Sequence, residues 1–212
     1  MLSESIITTR AEWPTLKNNK SLTYFDSAAS TQTHISVLDR MNQYYEQERC
    51  NANRGDYEIC QKVSDGLERS RVQVSELLNC KAEQIIFTAG ATHGLNMIAE
   101  WNKDVPVVFI TEAEHTANIL PWIVQGRTIE NGRLQVLPLN DNGVLDIGKA
   151  VKLFESFPYS LLSIHSHSNV TGIPTNYKKL TKAAHDSGIK VCIDACQTIG
   201  THEFDISHFL NH

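Results

Sequence analysis

Residues 160–194 predict a strand, a helix and a second strand, since SLLSIH (160–165) and KVCID (190–194) flank the segment NYKKLTKAAHDS (176–187). The outer pieces are apolar runs of strand length. The middle piece has helical character, with Pro174 before its start and Gly188 as its stop. Similar apolar runs come earlier: QIIFT (84–88), VPVVFI (105–110) and RLQVLPL (133–139). Apolar strands that alternate with helices predict an α/β fold, a mostly parallel sheet flanked by helices.

The region before the first predicted strand divides into an arm and two helices. Residues 1–20 are polar and end in Asn18-Asn19-Lys20, which indicates an N-terminal arm, so we expect one large domain over residues 21–212. Apolar residues recur at helical spacing in residues 35–45 and again in residues 59–78. We therefore expect two half-buried helices ahead of the sheet.

Composition narrows the class of protein. The chain has 212 residues, 41% of them hydrophobic and 20% charged, which is typical of a globular domain. The net charge of -5 is spread without a basic block, so we expect no nucleic-acid partner and no binding to an anionic membrane. No apolar stretch approaches the roughly 18 residues of a membrane span, and we expect a cytoplasmic protein. Five cysteines without a CxxC pair indicate reduced thiols rather than a disulfide framework or a zinc knuckle.

Polar groups follow several of the predicted strands. In open α/β sheets, ligands bind outside the carboxyl ends of the strands. The turn AGATHG (89–94) opens a helix and suits a phosphate group, because its backbone N–H groups and the helix dipole face that position. The other polar residues placed after strands are Glu114, His115, Ser166, His167, Ser168, Asn169, Asp194 and Gln197. The sequence thus predicts a polar site along one edge of the sheet.

Each of these features also has an ordinary structural interpretation. A glycine-containing turn between strand and helix is common, and His115 could be a surface histidine. His165 and His167 could be metal ligands two apart on a strand, but no third ligand lies at a suitable spacing. Asp194 could cap the next helix, whereas a buried carboxylate at that position would need a cationic partner. We expect Cys192 and Cys196 to be packed side chains.

Six short motifs taken together resemble the class V aminotransferase family of pyridoxal-phosphate enzymes, and within it the cysteine desulfurases and selenocysteine lyases. They are YFDSAAS (24–30), NRG (53–55), FTAGAT (87–92), EHTANILPW (114–122), HSNVTG (167–172) and IDACQ (193–197). The resemblance implies the large domain of fold type I enzymes of this cofactor and covers the chain from about residue 21. It also implies a homodimer.

The resemblance assigns expected roles to individual residues. Ala91 and Thr92 would hold the cofactor phosphate, His115 would stack on the ring and exchange protons, and Gln197 would reach the ring hydroxyl. Asn169 would lie against the ring substituents and, with Ala28, near the substrate. Asp194 would pair with the pyridinium nitrogen and keep it protonated, which makes the ring an electron sink. No metal ligand is implied.

The sequence also departs from the family pattern. The family lysine that forms a Schiff base with the cofactor, in a Ser-x-His-Lys setting, lies further beyond the aspartate than the eighteen residues that follow Asp194. The C-terminal small domain, with its substrate-binding arginine and the desulfurase cysteine, has no counterpart either. At the Arg-Gly-x-His position stand Arg54, Gly55, Asp56 and Tyr57. We therefore expect a truncated cofactor-binding portion, inactive alone, that binds pyridoxal 5'-phosphate weakly and without a covalent bond.

Three functions stay open at this point. The first is a cysteine desulfurase-like protein, whose relatives convert L-cysteine to alanine and an enzyme persulfide, acting as a homodimer or with a complementing second polypeptide. The second is a non-catalytic module of the same fold that binds a partner protein. The third is a class V aminotransferase or lyase that acts on another amino acid.

Overall fold

A computed structural model describes residues 10–209, which fall into two compact units divided after Gln73. The bounds of the α-helices and strands are α1 Pro14–Asn18, α2 Ile35–Gln43, α3 Glu58–Leu78, α4 Ala91–Trp101, β1 Val108–Thr111, α5 Leu120–Val124, β2 Leu134–Leu137, α6 Ile147–Ser156, β3 Leu161–His165, α7 Tyr177–Asp186 and β4 Lys190–Asp194. Helix α3 crosses the division between the units.

The first unit is helical, and a buried carboxylate ties its helices together. Helix α2 continues into a π-helical turn, Tyr44–Glu48, whose last residue is only 3% exposed. The Glu48 carboxylate contacts Arg40 of α2 at 2.8 Å and Lys62 of α3 at 2.9 Å. The hydrogen bond from Lys62, followed by that from Arg40, lowers the pKa of Glu48. The predicted helices at residues 35–45 and 59–78 are confirmed, although several of their apolar side chains, such as Met41 and Ile59, are exposed.

The predicted N-terminal arm lies in this unit. Its residues from 10 onward form a short 3-10 turn, Arg10–Glu12, followed by α1. The Arg10 guanidinium donates hydrogen bonds to the carbonyls of Asn19 and Leu22. Residues 1–9 of the predicted arm lie outside the described part, and the boundary at residue 20 stays a prediction.

The second unit holds the sheet. Its strands run parallel in the order β2-β1-β3-β4. The chain therefore passes over β1 on its way from β2 to β3. One face is covered by α4 and α5, where Leu95, Ala99 and Trp122 pack against Val108 and Ile110. The other face is covered by α6 and α7, through side chains that include Phe154 and Leu180. The predicted α/β fold with helices on both faces of a parallel sheet is confirmed.

Side chains cap the first turns of both helices on the second face, and α7 begins and ends where the sequence predicts. Asp146 caps α6 by accepting from the Lys149 N–H, and Asn176 caps α7 by accepting from the Lys179 N–H. Gly188 follows α7 with a φ of 71°, a left-handed conformation that favours glycine. Asp146 and Asn176 thus set where the two helices begin, and Gly188 sets where the chain leaves α7 for β4.

One predicted strand is wrong. Residues 85–88 lead from a 3-10 turn to α4 with extended backbone at Ile85, but they join no strand within the described residues. Ile86 is 61% exposed and Phe87 is 47% exposed. A strand needs a hydrogen-bonding neighbour, and the apolar pattern of a segment cannot show whether that neighbour is present.

No helix in the described region is long and apolar enough to span a membrane.

Candidate cofactor site at the carboxyl edge of the sheet

The carboxyl ends of β1, β3 and β4 bring three of the predicted site residues to one edge of the sheet. His165 pairs in register with Asp194, the last residue of β4, and the Ser166 N–H donates to the Asp194 carbonyl at 2.9 Å. Asn169 lies in the turn that follows β3, and His115 follows β1. Because β3 is the direct neighbour of both β1 and β4, these residues occupy adjacent positions along the edge.

Asp194 is a half-buried carboxylate whose Oδ1 accepts a hydrogen bond from the Cys196 N–H at 3.0 Å. No cationic side chain in the described part of the chain forms an ion pair with it. The backbone contact orients the carboxylate, the Cys196 thiol also hydrogen-bonds to it, and further acceptor positions remain for a ligand. A cationic ligand group would supply the missing charge partner.

The start of α4 provides a possible anion site in the same unit. Gly90, the residue before the helix, has a φ of 145° and no atom within 4 Å of where a Cβ would lie. Ala91 and Thr92 form the exposed first turn, and the Thr88 hydroxyl donates to the Gly90 carbonyl at 3.0 Å. The first N–H groups of a helix have no partner within it and favour an anion.

His115 is exposed and caps the short 3-10 turn that follows β1. Its Nδ1 accepts a hydrogen bond from the Ala117 N–H at 3.1 Å. In the neutral imidazole the proton therefore lies on Nε2, and this second nitrogen is the one able to exchange a proton with a ligand.

A buried polar network beneath His115 was not predicted from the sequence. The Glu114 carboxylate accepts from the Thr111 hydroxyl at 2.7 Å and from Asn118 Nδ2 at 2.8 Å, and it lies 2.9 Å from His165 Nδ1. Asn118 Oδ1 in turn accepts from the Ser163 hydroxyl at 2.6 Å. The network links the turn that carries His115 to strand β3. Its only sequence signal is the position of Glu114 and Asn118 inside EHTANILPW.

We expect Glu114→Gln to lower the free energy of unfolding by about 1–2 kcal/mol. The amide NH2 of glutamine cannot accept a hydrogen bond that the carboxylate oxygen now accepts. Urea unfolding followed by tryptophan fluorescence measures the change. Glu112→Gln is the matched control, since Glu112 is exposed two residues away. Equal stability of the two variants would show that the Glu114 contacts contribute little.

The two histidines considered as metal ligands have other partners. His165 lies against Glu114, whereas His167 Nδ1 lies 2.9 Å from the Thr198 hydroxyl and its ring stacks on His202 with centroids 4.9 Å apart. Burial, and then the charges of His202 and His165, lower the pKa of His167. The Thr198 hydroxyl also contacts the Ser166 hydroxyl. Among the described residues, no group of three potential ligands could hold a metal ion.

The two cysteines near the site differ in burial. Cys192 is buried as predicted, and burial raises its pKa to about 11. The prediction that Cys196 is packed is wrong, since it is exposed in the loop beyond β4, where the Asp194 carboxylate orients its N–H. Partial burial of the sulfur, together with a hydrogen bond to Asp194, raises the pKa of Cys196 to about 12. Neither thiol forms an appreciable amount of thiolate at neutral pH.

Gln197 and Ala28 are the remaining predicted site residues. Gln197 is half-buried in the turn after Asp194, and its carbonyl accepts from the Thr201 hydroxyl at 3.2 Å. Ala28 lies in the first unit, in an exposed turn near which the Tyr24 hydroxyl donates to the Ser30 carbonyl at 2.5 Å. The roles expected of these residues stay predictions.

Comparison with known proteins identifies relatives over nearly the whole chain. The sequence profile described as aminotransferase class V matches residues 23–210. The cysteine desulfurase SufS of Plasmodium falciparum is 33% identical over 206 residues, which are 93% of this chain and 38% of that protein. A cysteine desulfurase of Escherichia coli O8 is 32% identical over 95% of this chain and 52% of its own length.

Solved structures give the same result. The apo structure of a cysteine desulfurase from Thermococcus onnurineus NA1 matches with a TM-score of 0.86 and 28% identity, covering 99% of this chain and 52% of that one. The cysteine desulfurase CsdA from Escherichia coli matches with a TM-score of 0.80 and 26% identity, covering 98% of this chain and 52% of its own. The chain thus spans about half the length of these structures, and between about a third and a half of the curated relatives.

Proposed function

Because the chain belongs to the class V aminotransferase family, we propose that it binds pyridoxal 5'-phosphate at the carboxyl edge of its sheet, as the cofactor-binding portion of a cysteine desulfurase. The observation that carries the proposal is Asp194, a half-buried carboxylate at a strand end without an ion-pair partner in the described part of the chain. The names of the relatives, cysteine desulfurases, support the activity proposed for the whole protein.

The residues at this edge fit the charges of the cofactor. The start of α4, with Ala91 and Thr92, suits a phosphate group, and the Asp194 carboxylate suits a protonated ring nitrogen. His115 presents an exposed ring for stacking on the cofactor. Asn169 is half-buried in the turn that follows β3, the strand next to β4. Gln197, three residues beyond Asp194, would reach the ring hydroxyl.

The chemistry follows from the charge on Asp194. When bound, the cofactor withdraws the electrons released as a bond at the α-carbon of an amino acid breaks. Asp194 would hold the proton on the ring nitrogen, which strengthens that withdrawal. His115 would exchange a proton through Nε2, because its Nδ1 is engaged by the Ala117 N–H. Asn169 would contact the substrate, an amino acid of the L-cysteine type.

The protonation of the two cysteines near the site does not suit a nucleophilic role. With pKa values raised to about 11 and about 12, Cys192 and Cys196 are almost fully protonated at neutral pH. We therefore propose that neither accepts sulfur. The family resemblance further supports a homodimer, or a second polypeptide that completes the site, and a cytoplasmic location.

We expect the 212-residue polypeptide to bind pyridoxal 5'-phosphate reversibly, since the family's lysine has no matching position in its motifs. An absorbance titration, followed by dialysis, measures this. Binding that saturates and is lost on dialysis is the expected result. A Schiff-base band that survives dialysis would contradict reversible binding, and a chain that ignores the cofactor would favour a partner-binding module instead.

A further inference from the structure

Two cysteines in the first unit face each other across a short loop that the proposed function does not use. Cys50 follows the π-helical turn Tyr44–Glu48, and Cys60 lies in the first turn of α3. The Cys60 thiol donates to the Asn51 carbonyl at 2.9 Å, and the Cys50 thiol contacts the Ile59 carbonyl at 3.5 Å. Each thiol thus lies against the residue next to the other cysteine, so the two side chains are direct neighbours.

The two thiols differ in how accessible they are. Burial raises the pKa of Cys50, and the charge of the Cys60 sulfur and a hydrogen bond with it raise that pKa further. Cys60 is fully buried, whereas Cys50 is partly exposed and open to a small reagent. A disulfide needs a sulfur–sulfur distance of about 2.0 Å, which two neighbouring thiols reach by rotation about χ1 and small backbone shifts.

The loop between the cysteines wraps closely around Cys60. The Gly55 N–H donates to the Cys60 sulfur at 3.1 Å, and a Cβ at Gly55 would lie at the same distance from that sulfur. The Asn53 N–H donates to the Ser64 hydroxyl of α3 at 2.9 Å. Asn53 also has a positive φ of 61°. The loop is therefore held against Cys60 and the first turns of α3.

We propose that Cys50 and Cys60 form a reversible disulfide when the protein meets a low-molecular-weight disulfide such as oxidised glutathione. Cys50 first loses its proton to solvent, a step that its raised pKa makes more favourable at alkaline pH, and its thiolate then attacks one sulfur of the reagent to form a mixed disulfide, with release of one glutathione thiolate. Cys60 then loses its proton, attacks the Cys50 sulfur and releases the second glutathione. The protein loses two electrons and two protons, and the reagent is reduced to two thiols.

The bond would set the mobility of a loop that carries a family motif. Residues 53–55 form the NRG motif, and they lie within the ring that the disulfide closes. Closing a short ring restricts the backbone of the residues inside it. Oxidation would therefore restrict Arg54 to fewer backbone conformations than the reduced loop allows. This effect does not depend on the proposed cofactor site.

Trypsin gives a direct test, because it cleaves after Arg49, Arg54 and Lys62 and so places the two cysteines on separate peptides, residues 50–54 and 55–62. The folded chain is treated with oxidised glutathione, free thiols are blocked with N-ethylmaleimide, and the denatured protein is digested and analysed by mass spectrometry. We expect the two peptides joined by a disulfide, absent before oxidation and lost after reduction. We also expect trypsin to cut the native oxidised protein at Arg54 about tenfold more slowly.

Cys50→Ser and Cys60→Ser should each abolish the linked peptide, whereas Cys80→Ser, in the second unit, should leave its yield unchanged. The variant at the partly exposed position 50 keeps the test valid if the one at buried position 60 does not fold. Failure of the linked peptide to form in the folded wild-type chain would overturn the proposal. So would formation of links to Cys80, Cys192 or Cys196 in comparable yield, since that result indicates random oxidation.

Discussion

Replacing Arg127 with methionine is expected to lower the free energy of unfolding by about 3 kcal/mol, the largest stability effect that we predict. The Arg127 side chain is 0% exposed, and its guanidinium is satisfied mainly by backbone carbonyls. Nη1 donates to the Val105 carbonyl at 2.8 Å, and Nη2 donates to the Lys103 carbonyl at 2.8 Å. Methionine fills a similar volume but leaves these carbonyls without a donor.

The position of Arg127 explains why the loss should be large. Nη2 also lies 3.4 Å from the carbonyl of Asn102, the residue that ends α4, so the guanidinium holds the end of this helix and the start of the chain segment that enters β1. Helix ends leave carbonyls without partners, and a cation there is favourable. Burial lowers the pKa of Arg127, yet an arginine side chain stays protonated in proteins.

Arg133→Met is the matched control, because Arg133 is exposed and close in sequence. Urea unfolding of both variants, followed by tryptophan fluorescence, should show a loss at position 127 and a change within about 0.5 kcal/mol at position 133. Arg127→Lys should recover less than half of the loss, since one ammonium group cannot reproduce the spread of the guanidinium. Equal stability of the two methionine variants would contradict this account of the buried contacts.

The buried contacts of Arg127 could not be predicted from the sequence. Its carbonyl partners lie more than twenty residues earlier in the chain, and no local pattern marks a buried arginine. The same holds for residues 85–88, whose apolar pattern fits a strand while the described structure gives them no neighbouring strand. Contacts between distant segments are set by the packed fold, and periodicity reports only on which face of an element is apolar.

Local signals, by contrast, predicted the elements around the site. Asn176 and Gly188 bound helix α7 as expected, and the apolar runs at residues 160–165 and 190–194 contain β3 and β4. Because parallel strands end at the same edge, the sequence predicts that Asp194, Asn169 and His115 lie along one edge of the sheet. The buried contact between Glu114 and His165 could not be predicted. Glu114 is next to His115 in the sequence, and this does not show that its carboxylate lies 2.9 Å from His165 Nδ1.

Asp194→Asn is expected to weaken the binding of pyridoxal 5'-phosphate by roughly thirtyfold, which corresponds to about 2 kcal/mol. The change removes the negative charge that would pair with the ring nitrogen but keeps the shape of the side chain. The amide oxygen of asparagine can still accept from the Cys196 N–H, so the turn after β4 should be retained. A titration followed by absorbance or fluorescence measures the dissociation constant of each variant.

The control for this variant is Asp141→Asn, because Asp141 lies in an exposed turn. The dissociation constant of the Asp141 variant for the cofactor should equal that of the unchanged chain, whereas a loss of affinity at both positions would indicate a general effect of net charge.

The thiol of Cys196 reports on the local change, since the Asp194 hydrogen bond and charge add to burial in raising its pKa to about 12. Asp194→Asn should therefore lower that pKa and speed alkylation of Cys196 near neutral pH. Faster alkylation with unchanged cofactor affinity would show that the carboxylate was removed without effect on binding, and Asp194 would then not be the partner of the ring nitrogen.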